Sequence, residues 1–184
     1  MEKKVLLFLA DGFEEIEALA PVDLLRRAGI NVTTVSISDT KEVRGGHDIT
    51  VLSDKLFDEI DDKMDYDMII LPGGGVGTEN LKKHDRLNAL LLKYNENEKL
   101  LGAICAAPSV LGKLNILNGK KAICYPGFEA ELLGAVITNE DVVKDKNIIT
   151  SKAAGTSIKF ALEIIQTLLN TEASDEIKSS IMYL

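Results

Sequence analysis

The sequence predicts a single α/β domain over residues 1–184, built on a mostly parallel central sheet with helices on both faces. Two observations carry this reading. Continuous apolar runs of strand length alternate with amphipathic helical segments, and 46% hydrophobic content in 184 residues suffices for one full core. Runs such as Val5 to Leu9 and Met68 to Leu71 lack the polar alternation of a half-solvated sheet, so they read as parallel strands buried on both faces.

Val5-Leu6-Leu7-Phe8-Leu9 is the first strand. The helix after it runs to about Ala28, with Leu24, Leu25 and Ala28 on one face, Arg26 and Arg27 in the last turn, and Gly29 as its stop. Val32 to Ile37 is the second strand, and the acidic run Asp58 to Asp67 reads as a solvated helix and turn. Met68 to Leu71 is the third strand and runs into Pro72-Gly73-Gly74-Gly75. Leu87, Leu90, Leu91 and Tyr94 then recur at i, i+3, i+4 and i+7 of a helix. Leu100 to Ile104 is the strand before Cys105, and Ala122 to Cys124 is another short one that makes Cys124 a packing residue. Val142-Val143 and Ile148-Ile149-Thr150 suggest a hairpin or late strand pair around Lys144 to Asn147. The last long helix carries Ile158, Ala161, Leu162, Ile165 and Leu168, capped near Thr156.

A formal charge of −8 argues against nucleic acid or an anionic membrane surface as partner. Two cysteines make no disulfide framework, no secretory leader opens the chain, and no apolar run is long enough to span a bilayer; a cytoplasmic location is expected. Two histidines and two cysteines, widely scattered, show no metal-site spacing. Gly73 to Thr78 holds neither an in-register G-x-G-x-x-G nor a Lys-Ser/Thr pair, so dinucleotide and P-loop readings fail, and phosphate or flavin binding is left without support. Neither metal nor cofactor is expected.

Cys105 is the most informative residue. It stands where the apolar run Leu100 to Ile104 breaks into Ala106-Ala107-Pro108, a strand-to-helix corner that resembles a nucleophile elbow with Cys in place of Ser. A helix N-terminus there would lower the thiol pKa, so a reactive thiolate is expected. In open α/β sheets ligands bind beyond the carboxyl ends of strands. Asp11 to Glu17, Gly73-Gly74-Gly75 and Cys105 all follow strands, so all three should converge on one edge. Glu17 is the acid chosen as partner to the thiol: Pro21 cannot donate to its carbonyl and should distort the helix, turning the segment inward. Glu14 and Glu15 read as first-turn charges, a reading equally open to Glu17. The amides of Gly74 and Ala106 form a candidate oxyanion hole, while a plain turn explains the glycines equally well.

These segments carry a resemblance. Leu9-Ala10-Asp11-Gly12-Phe13-Glu14-Glu15-Ile16-Glu17, Leu71-Pro72-Gly73-Gly74, Ala103-Ile104-Cys105-Ala106-Ala107-Pro108 and Thr150-Ser151 with Gly155-Thr156 resemble the ThiJ/PfpI superfamily, in the branch of the Parkinson-disease protein deglycase. The resemblance implies a flavodoxin-like α/β sandwich, a homodimer, a nucleophilic cysteine at Cys105, a carboxylic acid partner at Glu17, and amide donors at Gly74 and Ala106. Glu14, Gly73, Gly75, His47 and Tyr125 are supporting candidates.

Two departures stand out. Tyr125 occupies the position where that branch has a histidine near its cysteine, and a phenol is a poor general base at neutral pH. His47 stands where the branch has an arginine that approaches the partner subunit's site, so it either carries protons across a dimer or sits on a loop. Ala106 directly after the cysteine, and no histidine beyond His84, argue against peptidase and amidotransferase chemistry. Two classes of function remain: a glyoxalase or deglycase acting on small reactive carbonyls through Cys105 and Glu17, and an oxidative-stress sensor in which Cys105 is itself oxidised.

Overall fold

The computed structural model describes residues 2–60 and 65–183. A seven-stranded sheet forms the centre, in the order β10-β11-β7-β6-β1-β2-β5. Its strands are β1 (Lys4–Leu9), β2 (Asn31–Ser36), β5 (Lys55–Leu56), β6 (Met68–Leu71), β7 (Leu100–Ile104), β10 (Val142–Asp145) and β11 (Ile148–Ser151). Every pairing is parallel except β10 with β11, the expected late hairpin, where Val142 faces Ser151 and Asp145 faces Ile148.

Alternation along β1 shows why its apolar run is unbroken. Val5, Leu7 and Leu9 pack on one face with α1 (Glu15–Arg27), α5 (Ser157–Leu168) and α6 (Thr171–Ser180). Leu6 and Phe8 pack on the other with α2 (Gly75–Lys83), α3 (Asp85–Glu96) and α4 (Pro108–Lys113). A strand covered on both faces has no position left for a polar residue. The first helix ends as its sequence dictates, with Ala28 as C-cap and Gly29 at φ +77°.

Several elements differ from expectation. Ala122 to Cys124 is not a strand of the central sheet: β8 is only Lys121–Ala122, paired with β9 (Val136–Ile137) in a separate two-stranded ribbon. Cys124 lies just past it, buried in the core. A second ribbon, β3 (Glu42–Arg44) with β4 (Thr50–Leu52), projects beside α1, joined to it by Gly46 N–H donating to the Phe13 carbonyl at 2.7 Å. Pro21 leaves α1 a single helix, and its buried face holds Glu17, Ala18, Pro21, Val22, Leu24 and Leu25. Of the acidic run, residues 57–59 form a short 3-10 turn and residues 61–64 lie outside the described residues. His84 caps α3, and its ring lies 4.8 Å from that of Phe57.

Candidate active site

Four segments meet at the carboxyl edge of the sheet, after β1, β6, β7 and β11. Cys105 follows β7 with φ +65°, a left-handed backbone in a non-glycine residue, as at the strained turn of a nucleophile elbow. The strain is held from both sides. Cys105 N–H donates to the Ser151 carbonyl at 2.9 Å, and its own carbonyl accepts from Tyr125 N–H at 2.8 Å.

Glu17 sits in the first turn of α1, where side chains lean back toward the helix start. Its carboxyl is 1% exposed, points at the strand ends and accepts from Gly73 N–H at 2.9 Å. The Cys105 thiol and, less strongly, the Ala154 amide on the turn after β11 both favour its charged form. Glu14 caps the helix, its Oε2 accepting from Glu17 N–H at 2.8 Å. The inward turn of Glu17 thus comes from its place on the buried face and from this cap, not from a break at Pro21.

The glycines are more than a plain turn. A Cβ on Gly73 would collide with the Glu17 carboxylate oxygen and lie 2.8 Å from Cys105 Cβ, so only glycine lets the acid and the thiol approach this loop together. Gly74 has φ +92° and caps α2, and a Cβ there would run into the Gly12 carbonyl and, at 2.7 Å, Glu14 N. Gly75 is the first residue of α2 and has open space around its Cα, so nothing in its surroundings demands a glycine.

The Gly74 and Ala106 amides lie where they favour negative charge on the Cys105 sulfur. Burial first, and then the charge of Glu17, nonetheless push the thiol up to about 12. The expectation of a depressed Cys105 pKa is therefore not met. The physical reason is that burial and the Glu17 charge outweigh the two amides, while α4, which opens only at Pro108 and has six residues, is too short and too far along to offset them. Burial also pushes Glu17 up to about 7; the hydrogen bond from Cys105 opposes this and the Glu14 charge adds to it. Since thiol and acid share one hydrogen bond, the pair holds a single negative charge between those two values.

The remaining candidates fall around this centre without joining it. Tyr125 lends its backbone to the elbow, while its side chain is half exposed. His47 lies on the β3–β4 loop, where its Nδ1 and Glu15 Oε2 are 2.7 Å apart and its N–H donates to Glu15 Oε1 at 2.7 Å. His84 Nδ1 accepts from Leu87 N–H at 3.0 Å. Both histidines thus have partners other than Cys105. Cys124 is pushed up to about 11 by burial and by Glu129 and Glu131, as suits a packing thiol. A cavity of about 580 Å³ lies apart, against Phe57, Tyr66, Arg86, Leu90 and Tyr94; none of Glu17, Gly74 and Cys105 lines it.

The Ser151 carbonyl, which accepts the Cys105 N–H at 2.9 Å, is the contributor that residue-by-residue reading missed. A backbone acceptor leaves no trace in residue type, and only Thr150-Ser151, ending a strand at the same edge, marked the place.

Comparison with known proteins follows the same residues. The DJ-1/PfpI family model matches residues 3–167. A solved structure of oxidized DJ-1 from Toxoplasma gondii superposes with a TM-score of 0.94 at 36% identity, covering 98% of each chain. YraA of Bacillus subtilis, whose name carries a provisional cysteine-protease assignment, is 32% identical, covering 91% of this chain and 99% of its own. The glutathione-independent glyoxalase DJ-1 of Schizosaccharomyces pombe is 29% identical over 97% of each chain.

Proposed function

Because this chain belongs to the DJ-1/PfpI family, we propose that it is a cysteine-dependent enzyme that converts small reactive carbonyls, 2-oxoaldehydes such as methylglyoxal, to hydroxy acids such as lactate. One observation carries the reading: the buried Glu17 carboxyl and Cys105 meet at Gly73, whose N–H donates to that carboxyl at 2.9 Å and on which a Cβ would lie 2.8 Å from the Cys105 Cβ. The name of the Schizosaccharomyces pombe relative supports it.

Near neutral pH the Glu17 carboxylate takes the thiol proton as sulfur attacks the aldehyde carbon. The hemithioacetal oxyanion then accepts from the Gly74 and Ala106 amides, which are already in place and need no reorganisation. Glu17 returns the thiol proton to that oxygen and, a carboxylate again, carries the proton of the former aldehyde carbon to the neighbouring keto carbon through an enediol, as the hydroxyl proton passes to the former keto oxygen, leaving a hydroxyacyl thioester that water cleaves. The aldehyde carbon is oxidised and the ketone carbon reduced within one molecule, and water supplies the added oxygen. No external oxidant, reductant or cofactor is consumed.

A protonated Glu17 and the Gly74 and Ala106 amides favour a second reading, oxidation sensing. Sulfur attack on a peroxide oxygen, with cleavage of the O–O bond, gives a sulfenic acid; a second equivalent gives a sulfinate, whose oxygens would accept from these donors. The oxidized state of the Toxoplasma gondii relative accords with it. Peptide hydrolysis is not adopted, since each histidine is bonded to other partners.

The deciding test is freshly reduced protein with methylglyoxal and no glutathione. Lactate formation that disappears in Cys105→Ser supports the enzyme. No lactate above the buffer rate, together with stoichiometric oxidation of Cys105 by peroxide, supports the sensor instead.

A homodimer belongs to the same proposal. Ile16 and Leu19 are exposed on the outer face of α1, and Ile49 and Leu52 on the ribbon pinned beside its start. A cytoplasmic location is likewise proposed; no helix among the described residues is long and apolar enough to cross a membrane.

A further inference from the structure

We propose that Thr150 is a positioning residue for Cys105: its buried hydroxyl holds the segment 121–125, whose last amide, that of Tyr125, closes one side of the elbow. This role deepens the reading of the Cys105–Glu17 site, and only its catalytic consequence rests on that reading.

Thr150 is an unexpected residue for its strand. β11 lies between β7 and β10 and is buried along its whole length, with Ile149 packed on the side of α1 and α5 and Ile148 on the side of α3 and α4. Two residues after Ile148, Thr150 shares the α3 and α4 side and is fully buried. Valine has almost the same shape and would fill such a face with no hydroxyl to satisfy. The hydroxyl has a specific use here: Thr150 Oγ1 accepts from Ile123 N–H at 3.0 Å.

That bond is the middle rung of three. Along residues 121–125 every second amide is held from outside the segment. Lys121 N–H donates to Asp145 Oδ2 at 2.8 Å, Ile123 N–H to Thr150, and Tyr125 N–H to the Cys105 carbonyl at 2.8 Å. The Asp145 rung is at the far end, since Asp145 faces Ile148 at the start of β11. The Ala122 carbonyl accepts from Thr138 N–H at 3.0 Å, which ties the segment to the chain leaving β9 and not to the central sheet. Thr150 itself pairs with Ala103, two residues before the cysteine. It is therefore the hold of the central sheet on this segment that lies next to the Tyr125 clamp; without it, that clamp hangs four residues from Lys121.

The neighbouring residue holds the other side of the elbow. The Ser151 carbonyl accepts the Cys105 N–H at 2.9 Å. Consecutive residues of β11 thus fix both sides of a residue whose φ is +65°, Ser151 through its backbone and Thr150 through its side chain and residues 123–125. A left-handed non-glycine residue persists only where its surroundings over-determine it. Loosening one clamp lets Cys105 relax toward ordinary angles, which carries its sulfur away from Glu17, the charged group beside it.

The test is Thr150→Val, which keeps the shape and deletes the acceptor, with two readouts: hydrogen exchange of the Tyr125 amide and the rate of Cys105 alkylation against pH. The Tyr125 amide is expected to exchange about tenfold faster, as for loss of one buried hydrogen bond, while the amides of Leu6 to Phe8 in the middle of the sheet keep their native rates. The lower step of the alkylation profile is expected to move up from about 7 toward the ordinary thiol value of about 8.5, by about half a unit or more. Thr150→Ser should restore both. A threonine that merely stabilised the fold would, on replacement, speed exchange throughout the sheet and leave the alkylation profile of the folded protein unmoved. Either of those results, or native exchange at Tyr125, overturns the proposal. If Thr150→Val does not fold, Thr150→Ala compared with Thr150→Ser isolates the hydroxyl within a smaller side chain, and equal behaviour of those two is equally fatal. Neither readout needs carbonyl turnover, so a protein inactive toward methylglyoxal but showing these shifts would refute the enzyme and leave the role of Thr150 standing.

Discussion

Replacing Glu17 by Gln should merge two titration steps into one. In the native pair the acid is pushed up to about 7 and the thiol up to about 12, with one charge held between. Glutamine keeps the bulk and the polar contacts and removes the charge. The thiol then loses its repelling neighbour, so its step falls below 12; it also loses the base that takes its proton, so it stays above 7. A hydrogen bond involving a charged group is worth about 1.5–3 kcal/mol, or roughly one to two units. The single remaining step is therefore expected one to two units above the native lower step, at about 8 to 9, and alkylation of Cys105 at pH 7 should slow by roughly ten- to a hundredfold. Iodoacetamide kinetics from pH 5 to 11, with mass spectrometry to locate the adduct, would read this directly. If Glu17→Gln alkylates at pH 7 as fast as the native protein with an unmoved midpoint, Glu17 does not govern the thiol and the proposed proton exchange is wrong. Turnover of methylglyoxal should fall by about a hundredfold or more, the usual weight of a positioned acid–base group. Stability should change in the opposite sense. The fold keeps a proton on Glu17 that the unfolded chain has already released, so it loses stability as pH rises from about 4.5 to about 7. Glutamine abolishes that loss, stabilising the protein above pH 7 by up to about 3 kcal/mol while changing little at pH 4.

Gly73→Ala should leave the fold in place and cut turnover by about a hundredfold or more, because the new methyl collides with the Glu17 carboxylate and crowds Cys105; near-native kinetics would contradict that packing. His47→Ala should lower the melting temperature most below pH 6. The Glu15 hydrogen bond and charge raise the His47 pKa, so the pair's contribution is complete below the ordinary histidine value and lost as pH rises through the raised one. An equal drop at pH 6 and pH 9 would show that the charge on His47 does not matter. Sedimentation at micromolar concentration should give a dimer, and Leu52→Glu should shift it toward monomer; a native protein that is only monomeric would refute the dimer.

The sheet was legible because strands buried on both faces leave unbroken apolar runs, as in Val5 to Leu9 and Met68 to Leu71. The start of α2 was hidden by its glycines: Gly75 and Gly77 are poor helix formers, kept where the chain crosses close to Gly12 and Phe13 in the case of Gly77. The short α6, with its polar sequence Thr171 to Ser180, shows only Ala173 and Ile177 as an apolar pair and was missed for that reason. At the site, strand ends alone point to Cys105, Gly74 and Ala106, whereas Glu17 is singled out through a distortion at Pro21 that α1 does not show. The charge states of thiol and acid could not be read at all, because burial and the distance between the two decide those, and neither is written in residue type.

The φ of +65° at Cys105 has a consequence for the growing chain. Its two clamps, the Ser151 carbonyl and the Tyr125 amide, are translated 46 and 20 residues after it. Until β11 slots in beside β7, the Cys105 backbone lacks the Ser151 clamp that holds its N–H. Synthesis therefore delivers the thiol first and the complete elbow last. Stalled or truncated chains ending before residue 151 should show indiscriminate cysteine chemistry, and the full-length chain alone the selective kind.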